Sequence, residues 1–331
     1  MTDIRMSAVR RIAPGEGLPM LAPADLLLVT SSAEIGLLTA PASAAMVVAL
    51  GRSNPRAPIH FVSIGCAGVA ASILDFVQST TRVAHVLVIE SPADLVQATL
   101  DAAGVGQHGD GFRAQDVAYL LTLTLWDTAH ADAAAGLRVL HCSLLSRAAG
   151  LGGTARLAAQ FVSLWADLRE RHPGLRVVTF TNASEWSEHL FRLVESLARA
   201  RGLGGCAEWL HSHESDLRHY MTARPLLDLE AHGCAAADGP LLLPCLGAGG
   251  RLGVVVLDGA VAQPEPAITF APPDVLDLPV PPAGRLAPKE LPRSVLYAQR
   301  EYFGRSQFYF RWKLTHDQLA LPPTHLPGTP A

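Results

Sequence analysis

The chain alternates between short apolar runs and longer stretches in which apolar residues recur every three to four positions. That pattern predicts strands and helices taken in turn. Strands are predicted over Asp25–Thr30, Ile59–Ser63, His85–Glu90, Val117–Leu125 and Leu137–Leu144, with helices over Pro41–Leu50 and Cys66–Gln78. Further along come a helix over Ala155–Arg171, a strand over Leu175–Phe180 and a helix over Ser187–Arg201. A short helix at Pro225–His232 precedes two strands, Pro240–Leu246 and Leu252–Leu257, joined by Gly247-Ala248-Gly249-Gly250. Pro41 suits the first turn of its helix, where no amide hydrogen is needed. Leu26-Leu27-Leu28-Val29 is apolar without a break, as expected of a parallel strand covered on both faces. The predicted class is α/β.

Two segments echo one another. Ala24 to Ser32 and Leu175 to Ser184 both run strand, then hydroxyl or amide residues, then helix. They signal either two similar halves or the ordinary recurrence of such units in α/β proteins. The organisation read from the sequence is a first half over 1–150, a second over 151–260 and a tail over 261–331. Residues 261–292 are rich in proline and lack helical period, so they read as an extended wrap or linker. Residues 293–313 concentrate aromatics and arginines, including Tyr309, Phe310, Arg311 and Trp312. This is either a binding composition or a terminal helix or hairpin that packs back on the body, and the cost of exposing aromatics favours packing.

Composition narrows the class. Of 331 residues, 49% are hydrophobic and 17% charged, which excludes disorder as the main state. A net charge of −4 supplies no basic field to gather nucleic acid. No apolar span is long enough for a membrane helix, and the opening MTDIRMSAVRR lacks the apolar core of a signal peptide. Five separated cysteines with no CxxC pair argue against a disulfide framework and a zinc site. The expectation is a cytoplasmic protein without metal.

The sharpest local feature is Ile64-Gly65-Cys66-Ala67-Gly68, where an apolar strand meets a helix through small residues around one thiol. The amides and dipole at a helix start stabilise a thiolate. Small neighbours admit a substrate carbonyl, and the cysteine's own N–H can donate to an oxyanion. The competing reading is a buried, inert cysteine. The glycine turn after Cys245 offers further amides; a strand follows it, unlike a dinucleotide-binding loop. Leu210 to His219 holds three histidines and two carboxylates in a spacing that fits no standard metal pattern, so a solvated polar loop is the plainer reading. Within it His219 is the best candidate for a general acid or base, because imidazole titrates near neutral pH, with Asp216 or Glu214 to orient it.

The Cys66 turn and the Gly247 loop together resemble the thiolase superfamily, and within it the β-ketoacyl-acyl-carrier-protein synthase III branch. Ala24–Val29, His85–Ser91 and Asp116–Leu121 match loosely its second strand, the strand after the nucleophile helix and a Gly-Asp-Gly-Ala-rich strand. The resemblance spans roughly residues 20 to 258. It implies a thiolase-like fold of two similar halves with mixed sheets and layered helices, plus an extended C-terminal tail. It also implies an acyl-accepting Cys66 and an oxyanion hole from the amides of Cys66, Gly247, Ala248 and Gly249.

Departures from the family pattern bear on function. The His-Gln-Ala-Asn motif falls on Thr181-Asn182-Ala183-Ser184, with threonine at the histidine position. The Gly-Asn-Thr motif falls near Leu217-Arg218-His219-Tyr220, with Arg218 or His219 at the asparagine position. Each lost donor removes ~3 kcal/mol of transition-state stabilisation by analogy with oxyanion-hole variants, so malonyl decarboxylation should be suppressed. A decarboxylating synthase that uses Asn182 and His219 instead is the weakest reading. The expectation is an acyltransferase of the ketosynthase III type in fatty-acid-like or polyketide specialised metabolism. It would use a coenzyme A or phosphopantetheine thioester as substrate and no permanently bound cofactor, with Cys66 and His219 catalytic. Thr181, Asn182, Ser184, Asp216 and Arg218 would support them. Its partners would be an acyl carrier protein or acyl-coenzyme A and a second subunit, in a homodimer or a ketosynthase-like heterodimer. The alternative is a non-catalytic companion of an active ketosynthase. About two dozen residues precede Asp25, fewer than the family has, so a sheet face is expected to need cover from the aromatic tail or another subunit.

Overall fold

The computed structural model describes residues 3–12, 17–32, 41–63, 66–90, 93, 113–126, 136–146, 152–179, 185–203, 209–210, 218–219, 221–233, 239–247, 251–259, 275–277 and 309–314. The strands are β1 (Asp3–Ile12), β2 (Leu26–Thr30), β3 (Ile59–Ser63), β4 (Val83–Glu90), β5 (Arg113–Ala114), β6 (Val117–Trp126) and β7 (Leu137–Ser146). They continue with β8 (Arg176–Val178), β9 (Trp209–Leu210), β10 (Arg218–His219), β11 (Leu241–Gly247), β12 (Arg251–Asp258), β13 (Val275–Asp277) and β14 (Tyr309–Leu314). The helices are α1 (Pro41–Ser53), α2 (Gly68–Ser79), α3 (Gly153–Arg171), α4 (Glu185–Ala200) and α5 (Arg224–His232), the last preceded by a 3-10 turn, Met221–Ala223.

Twelve strands form one hydrogen-bonded order, β13-β14-β3-β2-β4-β6-β1-β7-β12-β11-β8-β9. Within it β3-β2-β4-β6-β1 and β9-β8-β11-β12-β7 carry the same topology twice, with β2 and β8 in equivalent places. The echo between Ala24–Ser32 and Leu175–Ser184 is therefore a duplication of architecture. As the unbroken apolar run requires, β2 is parallel to both β3 and β4. The halves meet where β1 pairs antiparallel with β7, Arg5 opposite Arg138. Asp3 and Asp258 stand by these two guanidiniums at 4.0 and 3.6 Å.

The two halves of the sheet fold over a shared layer. α2 packs on β2, β3 and β4 on one side and on β7, β11 and β12 on the other. Every residue from Gly68 to Phe76 is accordingly buried, as expected of a helix with no solvent face. Asp75 is tolerated there because His60 Nδ1 lies 2.7 Å from its Oδ2. α5 packs on β11 in the same layer, and Tyr119 of β6 donates to Glu230 at 2.7 Å. α1 lies on β2 and β4, and α3 packs on β7 and against α4. Alternation along the second-half strands fits this layering: Leu241, Leu243 and Cys245 join the main core, whereas Leu242 and Leu246 join that of α3 and α4. Trp209 of β9 sits edge-on between Trp165 and Phe191 at 4.8 and 5.7 Å.

β1 was not expected from the sequence. Its alternation breaks at a bulge between Ser7 and Arg10, with Ala8 at φ 50°. The described part of the aromatic tail, β14, is neither a helix nor one arm of a hairpin. It pairs antiparallel with the edge of β3 and parallel with β13, so it extends the sheet rather than covering a face. The polar segment before the 3-10 turn ends in a strand, since Arg218 and His219 pair in parallel with Arg113 and Ala114. No described helix is long and apolar enough to cross a membrane.

Candidate active site

The site is built around the head of α2. Cys66 stands just before Ala67, the N-cap of that helix. Alanine offers no side-chain acceptor, so the N-cap residue itself leaves the first-turn amides uncapped. Among the three cysteines in the described residues, Cys66 is partly exposed while Cys142 and Cys245 are buried. Cys142 donates to the Ala70 carbonyl at 3.4 Å, and burial pushes its thiol well above the usual range. Burial likewise pushes Cys245 up to about 12. Those two are packing cysteines; Cys66 is the exception.

Glycines set how closely the helix head approaches its neighbours. A Cβ on Gly253 of β12 would lie 2.8 Å from the Ala70 Cβ, 3.2 Å from the Cys245 Cβ and 3.4 Å from the Ala67 Cβ. The bare backbone of Gly253 therefore seats the first turn of α2 directly on the β11–β12 hairpin. Gly247 ends β11 opposite Arg251, two residues along β12 from Gly253. On the other side, a Cβ on Gly68 would run into the Thr30 hydroxyl and would meet the Thr222 methyl at 2.6 Å. The Thr30 hydroxyl is buried with no hydrogen-bond partner.

Thr222 belongs to a short segment that gathers the other candidate positions. Its N–H donates to Glu90 Oε1 at 3.1 Å, at the end of β4. Glu90 also accepts from the Ser32 N–H at 2.8 Å and the Ser32 hydroxyl at 2.6 Å, beyond the end of β2. Burial raises the Glu90 pKa, against the lowering effect of these donors. Two residues on, Arg224 Nη2 donates to the Thr179 carbonyl at 2.6 Å, and its Nε to Asp228 at 3.1 Å. The stretch from Met221 to Arg224 thus touches the head of α2, the end of β4 and the end of β8. Arg218 and His219 lie just upstream of it in β10.

The fold therefore brings the head of α2 and the end of β8 to one short segment, Met221–Arg224; Arg218 and His219, upstream of it, are placed by their pairing with Arg113 and Ala114. Thr181, Asn182, Ser184, Asp216, Ala248 and Gly249 themselves lie outside the described residues. Sequence reasoning missed Glu90, Thr222 and Arg224 as organisers. The available signal was a carboxylate closing the apolar run Val86–Ile89, beside a hydroxyl run, Thr30-Ser31-Ser32, on the neighbouring parallel strand. Among the described residues no three metal-ligating side chains come together.

No family model matches the sequence, and no curated protein matches it. Solved structures do. The oxazolomycin ketosynthase domain OzmH KS7 of Streptomyces albus JA3453 aligns at 14% identity over 73% of this chain, with a TM-score of 0.51. The ketosynthase from module 6 of the bacillaene synthase of Bacillus subtilis 168 aligns at 14% identity over 72%, with a TM-score of 0.52. The chain covers only 56% and 53% of these two structures. At such identity the likeness is one of architecture: the protein has a thiolase-like α/β fold, that of these ketosynthase domains, with two similar halves around a shared helix layer.

Proposed function

We propose that the protein is an acyltransferase of the condensing-enzyme type, which holds the acyl group as a thioester on Cys66. The observation that carries this reading is the setting of that cysteine: partly exposed, and next to the N-cap of a helix whose first turn Gly253 seats on β12. In the first step the Cys66 thiolate attacks the carbonyl carbon of an acyl thioester. The amides of Cys66 and of the Gly247–Gly249 loop take up the developing oxyanion. The carbon–sulfur bond to the donor then breaks, and the coenzyme A or phosphopantetheine sulfur leaves as a thiolate. In the second step an oxygen or nitrogen nucleophile attacks the acyl-cysteine, gives up its proton to His219, and the Cys66 thiolate is released. Threonine at 181 removes one donor that malonyl decarboxylation would need, so transfer without decarboxylation is the better fit.

Intact-protein mass spectrometry after incubation with acyl-coenzyme A and acyl-carrier-protein thioesters tests this. The expected result is a single acyl adduct that disappears in Cys66→Ala. Absence of an adduct with every donor would overturn the proposal in favour of a non-catalytic companion, which should then co-purify with a co-expressed ketosynthase.

A further inference from the structure

The buried carboxylate of Glu90 takes no part in the chemistry proposed above, yet it is hydrogen-bonded to both halves of the molecule. From the first half it accepts the Ser32 N–H, the Ser32 hydroxyl and, at 3.4 Å, the Ser31 hydroxyl. From the second half it accepts the Thr222 N–H, and the Thr222 hydroxyl also reaches it. Burying a carboxylate is unfavourable without several donors, and an apolar residue would fill the same volume at lower cost. What the carboxylate adds is a fixed place for Thr222, whose methyl group abuts Gly68 in the first turn of α2.

Thr222 lies three residues beyond His219 and two before Arg224. Arg224 ties the same segment to the carbonyl of Thr179 at the end of β8. We propose that Glu90 is a positioning residue: it clamps the segment from Met221 to Arg224 against the head of α2 and so fixes where the second half meets Cys66. The clamp stands on these hydrogen bonds alone; its effect on turnover rests on the acyl-Cys66 reading.

The test compares the full chain with Glu90→Ala and Glu90→Gln by hydrogen exchange and by the rate of acyl loading on Cys66. Glu90→Ala is expected to speed exchange of the amides at 221–224 by about tenfold while those of α3 and β12 keep their protection. Acyl loading should fall by about tenfold as the segment moves. Glu90→Gln keeps a carbonyl oxygen for the Thr222 N–H and should stay within about threefold of the wild type on both measures. Unchanged exchange at 221–224 in Glu90→Ala would overturn the proposal, as would an equal rise over the whole chain in both variants. If Glu90→Ala does not fold, Thr222→Val carries the comparison: it removes one hydroxyl from the carboxylate, and no local change in exchange would count against the clamp. A wild-type chain that takes no acyl group, but whose Glu90→Ala variant still loosens at 221–224, would refute the functional reading and leave the clamp standing.

Discussion

Gly253→Ala probes the packing that places Cys66. The added Cβ would lie 2.8 Å from the Ala70 Cβ, whereas carbon atoms in contact settle near 3.5–4.0 Å, so something must yield by about 1 Å. The Ala70 Cβ cannot swing aside, and β12 is held by β7 and β11 on both edges. The helix head must therefore back away, carrying Ala67 and Cys66 with it. Overpacking of this kind costs about 1–3 kcal/mol in stability. A shift of about 1 Å in a reacting group can cost about a hundredfold in rate, so acyl loading should fall far more than the stability change alone would suggest. Urea denaturation and time-resolved intact mass would measure the two effects side by side. Ala70→Gly in the same chain removes the nearest clashing atom; it should restore most of the loading rate at the cost of about 1 kcal/mol of helix propensity. A Gly253→Ala variant as stable and as fast as the wild type would refute the argument, as would loading that Ala70→Gly fails to restore.

Two further predictions concern buried charge. Arg224 and Asp228 are almost wholly buried at 2% and 1% side-chain exposure, so Asp228→Ala should cost about 3–5 kcal/mol by stranding a guanidinium. The double variant Arg224→Met/Asp228→Leu should recover much of that loss, which urea midpoints would show. His141 is held at about 4 by burial first and then by Arg171 and His172, and its Nδ1 is buried with no hydrogen-bond partner. Between pH 6.5 and 4 the unfolded chain takes up a proton there that the native protein refuses, so native stability should fall by about 3 kcal/mol as pH drops through that window. His141→Leu should flatten that part of the stability–pH curve; an unaltered slope would show that the native imidazole titrates normally.

What could be read from the sequence followed the strength of local pattern. β2, β3 and β4 are short, apolar and bounded by polar residues, so their place and parallel direction were plain. α3 and α4 carry apolar residues at helical spacing, Leu157, Phe161, Trp165 and Leu168 in one and Leu190, Val194 and Ala198 in the other, and were equally legible. β1 was hidden because a bulge shifts its buried face and because its arginines suggest a solvated terminus. β9 and β10 are two residues each, too short for any period to register. In β14 the alternation Phe310, Trp312, Leu314 against Arg311 and Lys313 is present, and the cost of exposing aromatics points to packing on the body, but nothing local reveals that the partner is the distant β3 rather than a helix or hairpin neighbour. The Cys66 turn stood out because its residues are local. The Glu90–Thr222 link spans 132 residues and joins the two halves, and no one-dimensional pattern encodes such a meeting.

The position of α2 has a consequence for how the chain is made. One side of this helix rests on strands that precede it or follow soon after, but the other waits for β7, β11 and β12, the last of which ends at Asp258. While the ribosome adds residues from 80 to 136, that helix flank has nothing of its own to lie against, and its cover stays incomplete until residue 258. The nascent protein should therefore need shielding until its later portion emerges, and the thiol at position 66 reaches its final setting only when that portion docks.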